Sequence, residues 1–236
     1  MDKSNTVLIT GATGAVGSVM ARSLTDTGAN IVLTGRRQES LDRLADELKE
    51  AGRRVLLFAA DISLAGDVRD LMAAIEERFG GADILVNIAG GWSGGPKLAD
   101  MTEEDWDSAL DMNLRSAFLI NRAVLPYMIE RGWGRIVNFA SKAAESPVSK
   151  QAGYNAAKAG VVALTASIAS EYRRSGIAAN VLLPGIIDTP GNREQMPDAD
   201  FSRWVSAKEL AALVLLLCGK EGGSMNGAKI PVYGRV

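Results

Sequence analysis

Short apolar runs alternate with amphipathic stretches of helical period along the whole chain. Seven runs are predicted to be buried strands, at 6–10, 31–34, 55–59, 84–87, 135–139, 178–183 and 228–233. The stretches predicted to be helices lie near 15–27, 38–51, 64–79, 103–129, 152–174 and 206–218. This alternation predicts a parallel sheet covered by helices on both faces, and right-handed crossovers make it doubly wound. No repeat or linker interrupts the pattern, so we expect one α/β domain over residues 1–236.

The charged and reactive residues narrow the possible chemistry. The chain has no histidine and a net charge of −2, which argues against nucleic acid or an anionic membrane as partner and removes the commonest metal ligand. We therefore expect no metal site, and acid–base chemistry must use Tyr, Lys or carboxylates. The single cysteine, Cys218, lies in an apolar run and cannot form an internal disulfide. With no signal-like or membrane-spanning stretch, these features predict a cytoplasmic protein.

A glycine-rich turn follows the first predicted strand and opens the first helix. Gly11, Gly14 and Gly17 permit a tight turn and close approach of the backbone to a pyrophosphate at the helix N-terminus. A turn of this kind can also be a plain strand–helix connection. The strand before it and the helix after it favour a dinucleotide site.

Two further strand ends complete the predicted cofactor site. The second strand ends Gly35-Arg36-Arg37, where an acidic residue would bind a ribose 2′-hydroxyl, whereas an arginine suits a 2′-phosphate. The arginines could instead be solvated charges opening a helix. Asp61, after the third strand, could take the adenine amino group or cap the next helix. Asn87-Ile88-Ala89-Gly90 ends the fourth strand, and its small residues let the adenosine lie against the backbone.

A tyrosine and a lysine form the predicted catalytic pair. Tyr154 and Lys158, at i and i+4, share one face of a helix, and Ser141 precedes the tyrosine by thirteen positions. A neighbouring ammonium favours the phenolate, so we expect Lys158 to lower the pKa of Tyr154 from its usual value of about 10. The serine hydroxyl after a strand could hold a carbonyl oxygen while the phenol protonates it.

Together these residues resemble the short-chain dehydrogenase/reductase family over essentially the whole chain. The matching pieces are the glycine turn, Asp61, Asn87-Ile-Ala-Gly90, Asn113, Ser141, Tyr154-x-x-x-Lys158 and Pro184-Gly-Ile-Ile-Asp-Thr189. The resemblance implies a single-domain Rossmann fold with a seven-stranded sheet. It also implies NAD(P)-dependent interconversion of a carbonyl and an alcohol by an Asn–Ser–Tyr–Lys tetrad.

The resemblance also implies a role for each matching residue. Tyr154 is the general acid or base, Lys158 lowers its pKa and binds the nicotinamide ribose, Ser141 orients the substrate oxygen, and Asn113 holds a proton-relay water through the helix backbone. Asn113 could alternatively be a buried polar residue of a helix, and Ser141 a turn residue ending a strand. Thr189 resembles the residue that holds the nicotinamide carboxamide. The implied cofactor contacts are Gly11, Thr13, Gly14, Ala15, Val16, Gly17, Arg36, Arg37, Asp61, Ile62, Asn87, Ala89, Gly90, Tyr154, Lys158, Pro184, Gly185, Ile187 and Thr189.

The chain departs from the common family pattern in its glycine turn. Ala15 stands where the middle glycine usually lies, and Gly14 where many NADP enzymes carry a basic residue. We therefore expect a moderate preference for NADP(H) over NAD(H), resting on Arg36 and Arg37. The segment 188–204 resembles the corresponding loop of quinonoid dihydropteridine reductases, which lack the catalytic serine and favour NADH.

The prediction is thus an NADPH-dependent reductase of a small ketone, forming a secondary alcohol. A quinonoid dihydropteridine-type reductase and a non-catalytic nucleotide-sensing Rossmann domain are the alternatives. Trp92, Glu145, Met196 and Trp204 are candidates to border the substrate pocket beside Ser141 and Tyr154, although a Trp or Met can equally be a core residue. Small residues along 156–170 predict close helix packing against a symmetry mate, and hence a homotetramer or homodimer.

Overall fold

The computed structural model describes residues 3–48, 54–92 and 94–235. Within these residues seven parallel strands form one sheet in the order β3-β2-β1-β4-β5-β6-β7. The predicted doubly wound sheet of seven strands is thereby confirmed. The strands are β1 (Thr6–Thr10), β2 (Asn30–Gly35), β3 (Val55–Ala59), β4 (Ile84–Asn87), β5 (Gly134–Phe139), β6 (Ile177–Pro184) and β7 (Lys229–Val232).

The strand order reverses between β1 and β4. Thr10, the last residue of β1, pairs with Thr34 of β2 on one side and with Asn87 of β4 on the other. The connections that leave β1 and β4 therefore run to opposite faces of the sheet, and a crevice opens between them at the carboxyl ends of the strands. This is the edge at which the sequence places every candidate cofactor residue.

Helices cover both faces of the sheet. They are α1 (Ala15–Thr25), α2 (Gln38–Glu47), α3 (Ala65–Phe79), α4 (Glu103–Leu110), α5 (Ser116–Arg131), α6 (Ala152–Glu171), α7 (Pro190–Gln195) and α8 (Ala207–Cys218). One core cluster joins α1, α2 and α8 to the sheet through residues such as Ile9, and a second joins α3, α5 and α6 through residues such as Leu8. Neighbouring residues of β1 thus point into opposite cores, as the pleat requires.

The helix predicted over 103–129 is divided. A turn of π-helix, Asp111–Arg115, separates α4 from α5. The side-chain nitrogen of Asn113 donates to the carbonyl of Ala109 at 3.1 Å. In a regular α-helix that carbonyl accepts the backbone N–H of residue 113. The Asn113 side chain therefore competes for this carbonyl with the backbone hydrogen bond, at the point where the α-helix changes into a π-helix.

The segment 188–204, which resembles a loop of quinonoid dihydropteridine reductases, contains a short helix. Thr189 caps α7 by accepting a hydrogen bond from the Asn192 N–H, and Pro190 fills the first turn. A single bridge joins Ile187 to Val205. A threonine followed by proline is a recognised helix start, so this short helix could have been found from the sequence. The predicted end of the second helix at 51 lies outside the described residues.

Membrane-spanning helices and metal-binding clusters are both absent from the described residues. None of the helices in these ranges is long and apolar enough to cross a membrane. Nor does that part of the chain bring together three or more His, Cys, Asp or Glu side chains that could hold a metal ion.

Candidate active site

A cleft of about 860 Å³ opens at the carboxyl ends of β1, β2, β4 and β5. Most of the predicted site residues line it. These are Gly11, Thr13, Gly14, Ala15, Val16, Gly17, Arg36, Asp61, Ile62, Ala89, Gly90, Trp92, Tyr154, Lys158, Pro184, Ile187 and Thr189. Residues from the two ends of the sequence thus meet in one cavity large enough for an extended ligand.

The glycine turn brings backbone against backbone at the start of α1. Gly11 has φ +64°, and a Cβ there would lie 3.0 Å from Cα of Ala89. A Cβ at Gly17 would lie 2.1 Å from the carbonyl oxygen of Gly11, which no side chain could tolerate. Gly14 caps α1 without any side-chain hydrogen bond. The first N–H groups of α1 therefore face the cleft side of a tight turn, where an anion such as a pyrophosphate can bind them.

The end of β2 packs closely against Thr13. A Cβ at Gly35 would stand 3.1 Å from the Thr13 hydroxyl oxygen. Arg36 is exposed and lines the cleft, whereas Arg37, also exposed, precedes α2 as its N-cap and does not line the cleft. Of the two arginines, Arg36 is therefore the one placed to meet a ligand.

Asp61 both lines the cleft and caps a turn. Its Oδ1 accepts hydrogen bonds from the backbone N–H and the hydroxyl of Ser63, at 3.0 and 2.7 Å. The Ser63 hydroxyl does most to lower the pKa of this carboxyl, and the positive charge of Arg36 lowers it further. The two interpretations of Asp61 are thus compatible, because a capping carboxylate keeps its negative charge at the cleft wall.

Asn87 faces the sheet interior rather than the cleft. Its side chain accepts a hydrogen bond from Thr10 at 2.7 Å and donates one to Asn138 at 3.0 Å. The Thr10 hydroxyl in turn accepts the Ala89 N–H at 3.1 Å. Asn87 and Thr10 therefore fix the path of the residues after β4, and Ala89 and Gly90 form the surface that a ligand would meet.

The four candidate catalytic residues lie near one another, and two of them, Tyr154 and Lys158, line the cleft. Lys158 is buried, with its ammonium donating to the carbonyl of Phe139 at 3.0 Å. The Tyr154 hydroxyl is hydrogen-bonded to the Ser141 side chain. A Cβ at Gly90 would lie 2.7 Å from Oδ1 of Asn113 and 3.1 Å from Nζ of Lys158, so Asn113 and Lys158 flank the same glycine.

Asn113 and Ser141 also form hydrogen bonds with backbone groups of neighbouring loops. Asn113 is buried, its Oδ1 accepts the Gly91 N–H and its Nδ2 donates to the Gly91 carbonyl, each at 3.1 Å. Ser141 accepts the Ala143 N–H at 3.2 Å and so opens a short 3-10 turn after β5. Neither residue lines the cleft itself. Asn113 instead holds the loop at Gly91, and Ser141 holds the turn after β5.

The expected direction of the Tyr154 pKa is wrong for the structure as it stands. Burial raises the pKa of the phenol, and the hydrogen bond from Ser141 offsets only part of that effect. The Lys158 ammonium points to a backbone carbonyl, and burial lowers its own pKa to about 8. The pKa of the phenol therefore lies above its usual value, and not below it as the helical spacing alone predicted, because burial is the largest effect.

Three candidates for the substrate pocket lie elsewhere. Trp92 lines the cleft and is exposed, but Glu145, Met196 and Trp204 do not line it. Glu145 pairs with Lys229 at 2.5 Å and with the Tyr233 hydroxyl. Trp204 is buried with its ring 4.8 Å from that of Phe201, and Met196 ends α7 half-buried. Gly185 also lies behind the wall, where its N–H donates to the carbonyl of Val232.

Sequence reasoning missed several residues that line the cleft. They include Ser63, Ser108, Asp111, Met112, Ser116 and Asn192. Asn192 could have been found from the sequence, because the Thr-Pro helix start at 189–190 places it in the first turn of α7. The others near Asn113 were hidden because the sequence pattern of 103–129 shows one continuous helix, with no sign of the widened turn that presents them.

Comparison with known proteins places this geometry in one family. The model of the short chain dehydrogenase family matches residues 5–200. A D-beta-hydroxybutyrate dehydrogenase of Rhizobium meliloti is 33% identical, with 98% of each chain covered. A gluconate 5-dehydrogenase of Gluconobacter oxydans is 32% identical, with 97% of this chain and 93% of the relative covered. The crystal structure of a variant of actinorhodin polyketide ketoreductase with NADPH superposes with a TM-score of 0.90, at 33% identity over 98% of this chain and 96% of that one.

Proposed function

The chain belongs to the short chain dehydrogenase family of oxidoreductases acting on alcohol and ketone groups, and from that premise we propose that it is an NADPH-dependent reductase of a small ketone. The observation that carries the proposal is that Tyr154 and the buried Lys158 line the cleft together, with the lysine ammonium 5.7 Å from the centre of the tyrosine ring. A proton donor and a cation thus meet at the wall of a cleft that suits an extended cofactor.

Members of this family bind NAD(P), and the cleft fits such a cofactor. The close approach at Gly11 and Gly17 leaves no space for side chains where a pyrophosphate would lie against α1. Asp61 and Ala89 would border the adenosine, whereas Lys158 and Thr189 would meet the nicotinamide half. When bound, the cofactor supplies the hydride; the protein supplies position and a proton.

Tyr154 is the general acid in the proposed reaction. Burial holds its pKa above the usual range, so the phenol is protonated at neutral pH and has a proton to give. The Ser141 side chain lowers the pKa of Tyr154, so its hydroxyl is close enough to the phenol to be the proposed second donor to the carbonyl oxygen. Lys158, positively charged below a pKa of about 8, stabilises the phenolate left after proton transfer.

The proposed preference for NADPH rests on Arg36. It is exposed at the cleft beside Gly35, which itself carries no carboxylate to repel a 2′-phosphate. A guanidinium can bind phosphate through two hydrogen bonds. Gly14 lacks a basic side chain that would bind the phosphate from the other side, so the preference is moderate.

We also propose that the protein is a cytoplasmic homotetramer or homodimer. Several small residues of α6 are exposed, among them Ala156, Ala159, Ala163 and Ala166, so they do not all pack against the protein's own sheet. On α5, Phe118 is 44% exposed. Small residues on one helix and a large apolar one on another favour close packing of the two helices across a two-fold axis.

The test of the proposed function is a cofactor-oxidation assay. Purified protein is given NADPH or NADH with a panel of small ketones and, separately, with quinonoid dihydropterin. We expect NADPH oxidation with ketones. Faster turnover of the pterin would instead support a dihydropteridine-type reductase, and cofactor binding without turnover of any substrate would support a nucleotide sensor.

A further inference from the structure

A group of buried polar side chains joins β5 to α5 and α6. Asn138 of β5, Asn121 of α5 and Thr165 of α6 are each at most 1% exposed. They stand on the same three elements that an aliphatic core cluster holds together, and the mechanism proposed above uses none of them. Burying an amide or a hydroxyl costs free energy unless the group is hydrogen-bonded. The hydrogen bonds of these side chains therefore decide what they contribute.

Asn138 uses its whole hydrogen-bonding capacity. Its Oδ1 accepts from the Nδ2 of Asn87 at 3.0 Å and from the Nδ2 of Asn121 at 2.9 Å. Its Nδ2 donates to the Oδ1 of Asn121 at 3.2 Å and to the Thr165 hydroxyl at 3.0 Å. A side-chain amide has two donor hydrogens and two acceptor lone pairs, so all four positions are paired. Asn138 therefore ties β5 to β4, α5 and α6 at once.

The two helix partners of Asn138 are themselves held in one orientation. The Nδ2 of Asn121 also donates to the carbonyl of Ala117 at 2.7 Å, and the Thr165 hydroxyl donates to the carbonyl of Val161 at 2.7 Å. Each of these carbonyls lies one turn earlier in the same helix. Because each side chain is fixed to its own helix backbone, a hydrogen bond from Asn138 positions the helix as well as the side chain.

Two neighbouring residues of β5 hold α6. The Thr165 hydroxyl accepts from Asn138, and the Lys158 ammonium donates to the carbonyl of Phe139 at 3.0 Å. Lys158 and Thr165 share a face of α6 two turns apart, which is about 10.5 Å along the helix axis. One attachment leaves a helix free to turn or slide about it, whereas two attachments at this distance restrict both movements. Tyr154, one turn before Lys158, moves with the same helix.

We propose that Asn138, Asn121 and Thr165 are positioning residues, which set the place of α6 on the sheet and through it the places of Tyr154 and Lys158 beside the cofactor. The reaction that they serve is the proposed function of the main site. Aliphatic side chains would fill the same space but would let α6 settle in several nearby registers, because apolar packing is not directional. A misplacement of about 1 Å between reacting groups can cost about a hundredfold in rate, so a single register favours catalysis.

The main test removes one hydroxyl from this group. Thr165→Val keeps the shape of the side chain but leaves one N–H of Asn138 without its partner, so the second attachment of α6 is lost. We expect kcat for ketone reduction to fall by about tenfold or more, with KM for the ketone and for NADPH within about twofold of wild type, because only the transition state is affected. Thr165→Ser retains the hydroxyl and should keep kcat within about twofold of wild type.

Thr6→Val is the matched control. Thr6 is 1% exposed at the first position of β1, the end of the strand away from the cleft, and its hydroxyl accepts from the Asn30 side chain at 3.4 Å. This variant also loses a buried hydroxyl, so thermal unfolding should show a loss of stability as in Thr165→Val, but kcat should stay at the wild-type value. A fall of kcat in both variants would make the hydroxyl of Thr165 a general contribution to stability and reject the positioning role.

A double-mutant cycle asks whether Thr165 acts through Asn138. Asn138→Leu replaces the amide by an apolar side chain of similar shape. Thr165→Val should lower kcat in the wild-type background but cause little further loss in the Asn138→Leu background, because the hydrogen bond between the two side chains is already absent there. Losses of kcat that simply multiply would contradict the proposed connection.

Crystal structures of the variants separate this proposal from the proposed function. In Thr165→Val we expect α6 to shift on β5 and the hydrogen bond from Lys158 to the Phe139 carbonyl to lengthen, whereas Thr165→Ser should keep the 3.0 Å of the wild type. A shifted α6 in a protein whose wild type reduces no ketone would keep the positioning role and reject the reductase. An unshifted α6 in Thr165→Val, or wild-type kcat in that variant, would overturn the positioning role.

Discussion

The ammonium of Lys158 lies 5.7 Å from the centre of the Tyr154 ring. Its hydrogen bond goes to the carbonyl of Phe139 and not to the phenol, so the stabilisation of the phenolate that we propose would depend on charge alone. The partner of the phenol is Ser141. Because burial lowers the pKa of Lys158 to about 8, that charge is present at neutral pH and lost in mild alkali. In the proposed mechanism the pair combines a phenol that keeps its proton with a cation that stabilises the phenolate.

Removing the phenol oxygen should remove the proton donor and little else. We expect Tyr154→Phe to lower kcat for ketone reduction by a factor of about 10² to 10⁴. The ring stays, so the affinity for NADPH, measured by the fluorescence of the bound cofactor, should stay near the wild-type value. Tyr172→Phe, at the end of α6, is the matched loss of a phenol away from the cleft and should keep full activity. Near-normal turnover by Tyr154→Phe would reject the mechanism.

The buried lysine should make stability depend on pH. Its pKa falls from 10.5 in the unfolded chain to about 8 in the fold, so between these values only the unfolded chain keeps the proton. The free energy of unfolding should therefore rise with pH across this window, by up to about 3 kcal/mol from this group. We expect urea unfolding of wild type and Lys158→Met at pH 7.5 and 10.5 to show the rise in wild type relative to the variant. A constant difference between the two proteins would mean that Lys158 titrates normally in the fold.

Periodicity and strand ends predicted the sheet, its parallel pairing and the edge that holds the cleft. These features depend on local patterns, because each strand is a continuous apolar run and each helix has its own apolar face. The division of helix 103–129 could not be predicted in this way. It depends on the Asn113 side chain, which bonds to Ala109 within its own helix and to Gly91 from a distant loop.

Spacing predicted the proximity of Tyr154 and Lys158 better than it predicted their electrostatics. The i and i+4 positions bring Tyr154 and Lys158 to one face, but burial, which decides the direction of both pKa changes, depends on the packing of whole elements. Glu145 shows that sequence position is an equally weak guide to which residues line the predicted substrate pocket. Its position near Ser141 in the sequence placed it at the substrate, whereas Lys229 and Tyr233 from the far end of the chain draw it away.

Two glycines of the same turn should respond very differently to an added methyl group. In Gly17→Ala the Cβ would lie 2.1 Å from the Gly11 carbonyl oxygen, so the turn must shift. We expect a loss of at least about 3 kcal/mol in unfolding free energy together with loss of NADPH binding. In Gly14→Ala the closest atom is 3.4 Å away, an ordinary contact, and the loss should stay below about 1 kcal/mol. Similar losses of stability in the two variants would contradict the proposed close packing of the turn.

A charge on the exposed face of α6 should disrupt the proposed assembly without unfolding the protomer. Ala163 is exposed and lies on the small-residue face. We expect light scattering to give a dimer or tetramer for wild type and a smaller species for Ala163→Glu, because a carboxylate in a close helix contact is desolvated. Ala73→Glu, an equivalent change on exposed α3, should keep the wild-type mass. A monomeric wild type at micromolar concentration would reject the proposed interface.

Arg36→Ala should weaken the preference for NADPH over NADH. Arg36 is the exposed cation at the cleft, and losing its charge-assisted hydrogen bonds, worth about 1.5–3 kcal/mol each, should lower kcat/KM for NADPH by about tenfold or more. Arg37→Ala is the matched control, because Arg37 is equally exposed but does not line the cleft. Its effect on the ratio of kcat/KM for NADPH over NADH should be small.

Gly35→Asp combined with Arg36→Ala should reverse the preference to NADH. A Cβ at Gly35 would stand 3.1 Å from the Thr13 hydroxyl oxygen, close enough to require a small adjustment that a rotatable hydroxyl can make. The new carboxylate would then lie at the end of β2, where it can accept a ribose 2′-hydroxyl and repel a 2′-phosphate. The measurement is kcat/KM for both cofactors at a saturating ketone concentration. If wild type already uses NADH better than NADPH, Arg36 is only a solvated surface charge and the NADPH assignment fails.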